Sequence, residues 1–512
     1  MISIKKCITK NFKYFSILYL ITLIVYQFFI NNLLFNNEDA MAAGTFELNY
    51  TWDISLGRYL VAALKIMFLG VNSEPFNTII SLFLICLSIY IIFSLFGENQ
   101  GFSIFISMFI ITSVINYYIL SHRYSSIASS LQLFFATLSV ASIIKVINLR
   151  LRLLLSITFL VISCALGQYS IAILPITVLF YIINYLIHNK FNLRLIRDLF
   201  LDLIVTLVLG LVIYRLTWLL SLKILNIAPA NYLGTDKISF FCILLGVPNA
   251  FVKSYTIFYQ YFSGQIMKFN IYGAYYLYLL FFVFYIVIIV IFSIREKKYE
   301  LILFAVFLPL LTLPSICSMP IFFTPNYPFI RPHQMLAFTL IIPFIAISLK
   351  HILKKAFVLV LILVVLLHCQ VLQMSVDFDT MYKSNISTSN IINLILSKLD
   401  TMELLDDNYI YFYGSFAKNQ LYYTQTFEDK FTKLNKINHR FLIGNLDGYS
   451  SWKNQIIRGY IRYYMGVNIK MDLNANFDEL FRSKDFLNAK PFPSDESVFV
   501  VNGNEVVVKV SE

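Results

Sequence analysis

Residues Cys164–Pro175, CALGQYSIAILP, decide how the rest of the chain is read. They lie inside a long apolar run that Gly167 and Gln168 interrupt. If the interruption is a turn between two spanning helices, the basic clusters on either side fall on one face of a membrane. These are Lys145, Arg150 and Arg152 before it and Lys190, Arg194 and Arg197 after it. Merging the run into one bent span breaks the alternation of charge from there onward. The split is therefore the reading adopted.

Outward from that turn the same material continues in both directions. The chain has 512 residues, of which 59% are hydrophobic and 13% charged, with a mean hydropathy of +0.73. That balance is too apolar for a soluble globular protein. Apolar runs of about 20 residues, long enough to cross a hydrocarbon core of about 30 Å as helices, recur over the first three quarters. The short alternating segments of a β-barrel are absent from the sequence. Eleven spans are expected, at about 13–35, 76–96, 101–120, 127–147, 152–167, 170–187, 199–225, 272–294, 299–318, 334–350 and 356–374. The first, YFSILYLITLIVYQFFINNLLF (14–35), is too long for a signal-peptide core and has no clean small-residue cleavage site, so it reads as an uncleaved span.

Alternate connections carry Lys5, Lys6, Lys10 and Lys13, then the two clusters above, then Arg295, Lys297 and Lys298, then Lys350, Lys354 and Lys355. The positive-inside rule puts these, and the N-terminus, in the cytoplasm. An odd number of spans puts residues 375–512 outside. The fold class expected is thus an α-helical polytopic membrane protein, N-in and C-out, with a membrane domain at 1–374 and an extracytoplasmic α/β domain at 375–512. In that tail STSNIINLILSKL reads as a helix with a Ser/Thr start, NYIYFYG as a strand, and VFVVNGNEVVVKV as a hairpin across Asn502-Gly503.

The net charge of +12 raises nucleic acid as a partner. Val376–Glu512 holds 15 Lys+Arg and 17 Asp+Glu, so 25 of the 40 basic and only 11 of the 28 acidic residues belong to the apolar part. The excess lies in membrane loops, which argues against nucleic-acid binding. The six cysteines are scattered singly, so neither a disulfide framework nor a zinc site is supported. No phosphate-binding P-loop, dinucleotide glycine fingerprint, HExxH or GxSxG is present.

Of the eleven acids in the apolar part, six fall on the external side, and all but Asp236 lie in the first external loop, about 36–75: Glu38, Asp39, Glu47, Asp53 and Glu74. Glu38 and Asp39 are adjacent and follow the first span closely. A carboxylate pair at a membrane boundary suits a general base, because partial burial and a like-charged neighbour both raise a carboxyl pKa. The plain alternative is solvated residues at a helix end. Asp53 and Arg58 read either as a local ion pair or as an arginine facing a lipid or substrate phosphate. Other external cations placed for an anionic group are Arg123, beside His122 in SHRYSS, and Arg331, between prolines and near His333 in FIRPHQ; headgroup anchoring is the alternative for Arg331. The amphipathic stretches ISLGRYLVAALKIMFL and ISFFCILLGVPNAFVKSYTIFYQYF read as interfacial helices.

With these features in place, the arrangement resembles the GT-C superfamily of polyprenyl-phosphate-sugar glycosyltransferases. Within it, NNEDAMAAGTFELNYTWDISLGRYL, SHRYSSIASSLQLFFATLSV and ALGQYSIAILPI are similar to the O-antigen glucosyltransferase family of the Gtr type II, as are GSFAKNQ and SWKNQIIRGYIRYYMGV in the tail. The resemblance implies an essential first-loop acid at Asp39, with Glu38 beside it. It implies a polyprenyl-phosphate-sugar donor, a surface polysaccharide acceptor and membrane lipids as partners, together with a donor synthase and a donor flippase. The implied setting is the bacterial cytoplasmic (inner) membrane with the site facing outward. No cofactor is required by such chemistry; Mg or Mn bound by Glu38 and Asp39 is compatible with oxygen ligands. A flippase or exporter of lipid-linked oligosaccharide, and a polysaccharide polymerase or ligase, stand as alternatives.

Overall fold

The computed structural model describes residues 2–32, 34, 50–67, 74–97, 100–230, 240–263, 274–319, 332–353, 357–421, 453–471, 484–501 and 503–511. Among the described residues nine helices are long and apolar enough to cross a membrane: Phe76–Ser94, Ser125–Lys145, Leu149–Leu166, Tyr169–His188, Leu193–Leu225, Tyr276–Arg295, Tyr299–Cys317, Gln334–Ile352 and Phe357–Thr401. Gly101–Ile111 and Val114–Ser121 form a tenth if the two halves, bent by 58°, are one span. Lys13–Val25 is a shorter apolar helix. The helical part is thus consistent with a multi-pass membrane protein.

The bend has a local cause. Ser113 leaves the helix with extended backbone and its side chain caps the second half by accepting from the Asn116 amide at 3.2 Å. The Asn116 side chain in turn donates to the Ile110 carbonyl that the break releases. The split at Gly167 is present as read. Helix Leu149–Leu166 ends there, a short 3-10 turn covers Tyr169–Ala172, and helix Ile173–His188 follows. A Cβ at Gly167 would meet Gln132 Oε1 of helix Arg123–Lys145 at 2.5 Å, so a larger residue there would have to displace that side chain.

What faces outward from the bundle is apolar. On helix Leu193–Leu225 the exposed residues include Leu201, Ile204, Val208, Val212, Leu216, Leu220 and Ile224, while Leu203, Thr206, Gly210, Tyr214, Trp218 and Leu222 face inward. A periodicity of three to four with the apolar stripe outside matches a helix that faces lipid. Helix Ala274–Arg295 repeats it with Leu280, Val283, Val287, Ile291 and Ile294. At one end of the bundle Arg152 and Asp202 pair at 2.9 Å. Lys298 Nζ at that end donates to the carbonyls of Leu186 (2.9 Å), Ile187 (2.6 Å) and Asn189 (3.2 Å), closing the C-terminus of helix Ile173–His188.

The last helix corrects one expectation: it runs unbroken from Phe357 to Thr401, so the STS run is no helix start. The physical reason is burial at both ends. Leu359, Leu363 and Leu366 pack in the bundle core, and Ile391, Ile392, Ile395, Leu396 and Leu399 pack in a second core. Between them the Ser389 hydroxyl turns back to the Asn385 carbonyl (2.9 Å), the interior use of serine rather than a cap. The second core is roofed by a three-stranded sheet of β1 (Tyr409–Tyr413), β2 (Val498–Val501) and β3 (Glu505–Lys509), in the order β1-β3-β2. β2 and β3 form the antiparallel hairpin read from the sequence, with Val500 opposite Val506 and Gly503 at φ +84° in the turn. β1 joins β3 in parallel, Ile410 opposite Val506. Helix Lys453–Tyr463 contributes Ile456, Ile457, Tyr460 and Ile461 to the same core.

Candidate functional site

The described part of the first connecting segment is two short helices, Tyr50–Ser55 and Tyr59–Met67, joined by a tight turn at Leu56–Gly57–Arg58. The turn closes on itself through Gly57 N to Ile54 O (3.0 Å) and Arg58 N to Asp53 O (2.8 Å). Gly57 has φ +85°, and a Cβ there would overlap the Tyr214 hydroxyl, so any other residue is strained.

This segment is docked on the bundle by its backbone. Tyr214 Oη donates to Gly57 O (3.1 Å), and Gln168 Nε2 donates to Tyr214 Oη (2.6 Å) and Leu56 O (3.3 Å). Trp218 Nε1 donates to Ile54 O (2.7 Å), and Tyr59 and Thr217 share a hydroxyl bond of 2.8 Å. Beneath the turn Ile54 and Ala62 pack on Trp218 and Leu222, and Val61 packs on Ala128 and Leu166. Gln168, the residue that breaks the apolar run, is thus one of the groups that receives the loop.

The docked segment places three charges together. The Asp53 carboxylate is buried, with Arg58 Nη2 at 3.0 Å from Oδ1 and Lys65 Nζ at 2.5 Å from Oδ2. The two cations keep 29% and 27% of their side chains exposed against 4% for the acid. Among the described residues one carboxylate thus orients two cations, each of which keeps part of its side chain at the surface. Arg215 lies 4.3 Å over the Trp218 ring nearby. With both oxygens engaged by cations, Asp53 is placed to orient them rather than to take a proton. The geometry suits an anionic group with several oxygens, held by a planar guanidinium and an ammonium. Lys65 is the member that sequence reasoning missed, although Arg58 and Lys65 stand two helical turns apart on one stretch, a spacing that puts them on the same face.

Arg123 is differently placed from the surface cation expected of it. It is only 1% exposed and directed into the protein. Its Nη2 donates to the carbonyls of Phe29 (3.0 Å) and Asn32 (2.9 Å), its Nη1 lies 3.5 Å from Glu74 Oε2, and its guanidinium sits 4.5 Å over the Phe29 ring. The reason is a set of acceptors from elements far apart in sequence, which no local reading of SHRYSS contains. Thr78 Oγ1 donates to the same Glu74 oxygen at 2.7 Å. His122 is held locally, Nδ1 to the Tyr118 carbonyl at 2.9 Å. Near this point the tail approaches: burial pushes the Tyr463 phenol above its ordinary pKa, and the Glu74 charge adds to the shift.

Glu38, Asp39, Glu47 and Arg331 lie outside the described residues, as does the side chain of His333, whose backbone enters the turn Pro332–Leu340. The structure therefore brings Asp53 and Arg58 together, separates Arg123 from them in role, and leaves the acidic pair to the sequence reading. Among the described residues no three His, Cys, Asp or Glu side chains converge as metal ligands. Comparison with protein-family models, with curated proteins and with solved structures finds no match.

Proposed function

We propose that this protein is an inverting glycosyltransferase of the GT-C type. It moves a hexose, glucose by the resemblance, from a polyprenyl-phosphate carrier onto a surface polysaccharide at the outer face of a bacterial cytoplasmic membrane. The observation that carries the reading is the Asp53 cluster. Two partly exposed cations, Arg58 and Lys65, are oriented by one buried acid on a segment pinned to apolar helices. A lipid-linked sugar phosphate would offer such a cluster a charged group on a chain that lies in lipid.

The chemistry is a single displacement. An acceptor hydroxyl oxygen forms the bond to the anomeric carbon, the bond from that carbon to the phosphate oxygen breaks, and the electron pair leaves with the phosphate. Arg58 and Lys65 hold the leaving phosphate as its charge develops. Asp39, with Glu38 beside it, takes the hydroxyl proton. Arg331 and His333 are further candidates for the donor's charged group.

The test is sugar transfer in isolated membranes, with polyprenyl-phosphate-glucose as donor and extracted surface polysaccharide as acceptor. Asp39→Asn or Glu38→Gln is expected to lower transfer by several orders of magnitude at unchanged protein level. Full activity in both variants contradicts the assignment of the base. Lipid movement without transfer in the wild type supports the flippase reading, and a change in polysaccharide chain length rather than branch content supports a polymerase or ligase.

A further inference from the structure

We infer that Arg123 is a positioning residue: its one guanidinium ties together both ends of the connecting segment that carries the Asp53 cluster. Asn32 is the C-cap of helix Gln27–Asn31 before that segment, and Glu74 stands one residue ahead of Pro75, the N-cap position of helix Phe76–Ser94, after it. Arg123 reaches both. Nη2 donates to the carbonyl of Phe29 in the helix and to that of its C-cap Asn32, which also accepts from the Leu34 amide at 2.7 Å. Nη1 faces Glu74 Oε2 at 3.5 Å, and Thr78 Oγ1 fixes that oxygen from the first turn of the next helix. The residue itself opens helix Arg123–Lys145, so three helix ends meet at one side chain.

The contacts divide the work in a way lysine cannot copy. A planar fork places two donors on two carbonyls while its edge faces a carboxylate and its face covers the Phe29 ring at 4.5 Å. A cation at a helix C-terminus is also favoured by the helix dipole. Burial adds force to the arrangement, since an exposed arginine would exchange these partners for water, whereas Arg123 is 1% exposed. The consequence is that the distance between Asn32 and Glu74 is set by a rigid group, and the segment between them starts and ends at fixed points. Arg58 and Lys65 belong to that segment.

The effect of this clamp on catalysis rests on the transferase reading; the clamp itself does not. Amide hydrogen exchange on the purified full chain in detergent therefore comes first, comparing wild type with Arg123→Lys and Arg123→Gln. Both variants are expected to speed exchange at least tenfold in peptides covering residues 26–34 and 74–80, with residues 173–187 unchanged. Unchanged exchange at either end overturns the clamp, and a rise everywhere, residues 173–187 included, overturns it in favour of general loosening. The second readout is transfer kinetics. In Arg123→Lys, kcat is expected to fall tenfold or more with the donor KM within about twofold. Faster exchange at both ends with unaltered kcat overturns the positioning role. Absence of transfer in the wild type counts against the transferase reading, and the exchange data still decide the clamp.

Discussion

Two ion clusters, one within the first connecting segment and one at its ends, use arginine in opposite ways. At Asp53 one acid serves two cations that stay about a quarter exposed. At Glu74 one cation serves an acid and two carbonyls, and both charged side chains are buried at 1% and 5% exposure. The first keeps part of both cations at the surface, which suits a ligand. The second is internally occupied, which suits a hinge point or brace. Burial and the count of acceptors, rather than the identity of the residue, separate a binding arginine from a bracing one.

The sharpest way to break that distinction is Arg123→Met. If the residue braces, removing it leaves Glu74 buried without its cation and takes a donor from two carbonyls, a loss of about 3–5 kcal/mol. Thermal unfolding in detergent should show a larger drop for this variant than for either Gly57→Ala or Lys65→Met. Adding Glu74→Met to Arg123→Met should recover part of the loss by removing the unpaired charge. A drop no larger than that of an exposed pair such as Lys383–Asp379 would make the two clusters alike.

Next in size is Gly57→Ala, which sharpens the claim that the outward cluster is held by its docking. The positive φ and the overlap with the Tyr214 hydroxyl should cost about 1–3 kcal/mol, localised to the segment. Exchange of residues 50–67 should rise while residues 173–187 stay protected. Smaller in stability is Lys65→Met, whose ion pair is partly screened and contributes under about 1 kcal/mol. Its expected signature is functional instead, a weaker hold on an anionic ligand by about 1.5–3 kcal/mol, the worth of one charge-assisted hydrogen bond.

The smallest effect concerns the tail. Burial raises the Tyr460 phenol above 10.0, with its bond to Ser389 opposing. A phenol whose folded pKa is raised contributes stability that is complete below the unfolded value and is lost as pH climbs from there toward the folded one. Above about pH 10 wild type should therefore lose stability in the tail faster than Tyr460→Phe does, as measured by unfolding against pH. Equal slopes would leave Tyr460 without that role.

Much of the helical layout was legible because its signal is local. Apolar length and the charge of alternate connections located the helices, and Gly167-Gln168 located the turn between two of them. The tail hairpin followed from Asn502-Gly503 between two valine-rich strands. The rest depends on contacts distant in sequence. SHRYSS looks like any wet external loop, and only the carbonyls of Phe29 and Asn32, more than 90 residues away, turn Arg123 inward. The Ser/Thr run at 387–389 has the composition of a helix start, but it falls inside a helix anchored at both ends. For the site, Asp53 and Arg58 were visible as a pair five residues apart. Lys65 was not, because a lysine in an amphipathic helix reads as solvated surface until the fold shows what it faces.

The most direct measurement is a titration of the detergent-purified chain with a short-chain polyprenyl phosphate, wild type against the Arg58→Gln/Lys65→Gln double variant. Saturable binding is expected in the wild type, weakening by tenfold or more in the double variant, with unchanged binding of the uncharged polyprenol. Equal affinity of both proteins for the phosphate would contradict this, because the outward cations over Asp53 would then hold no phosphate.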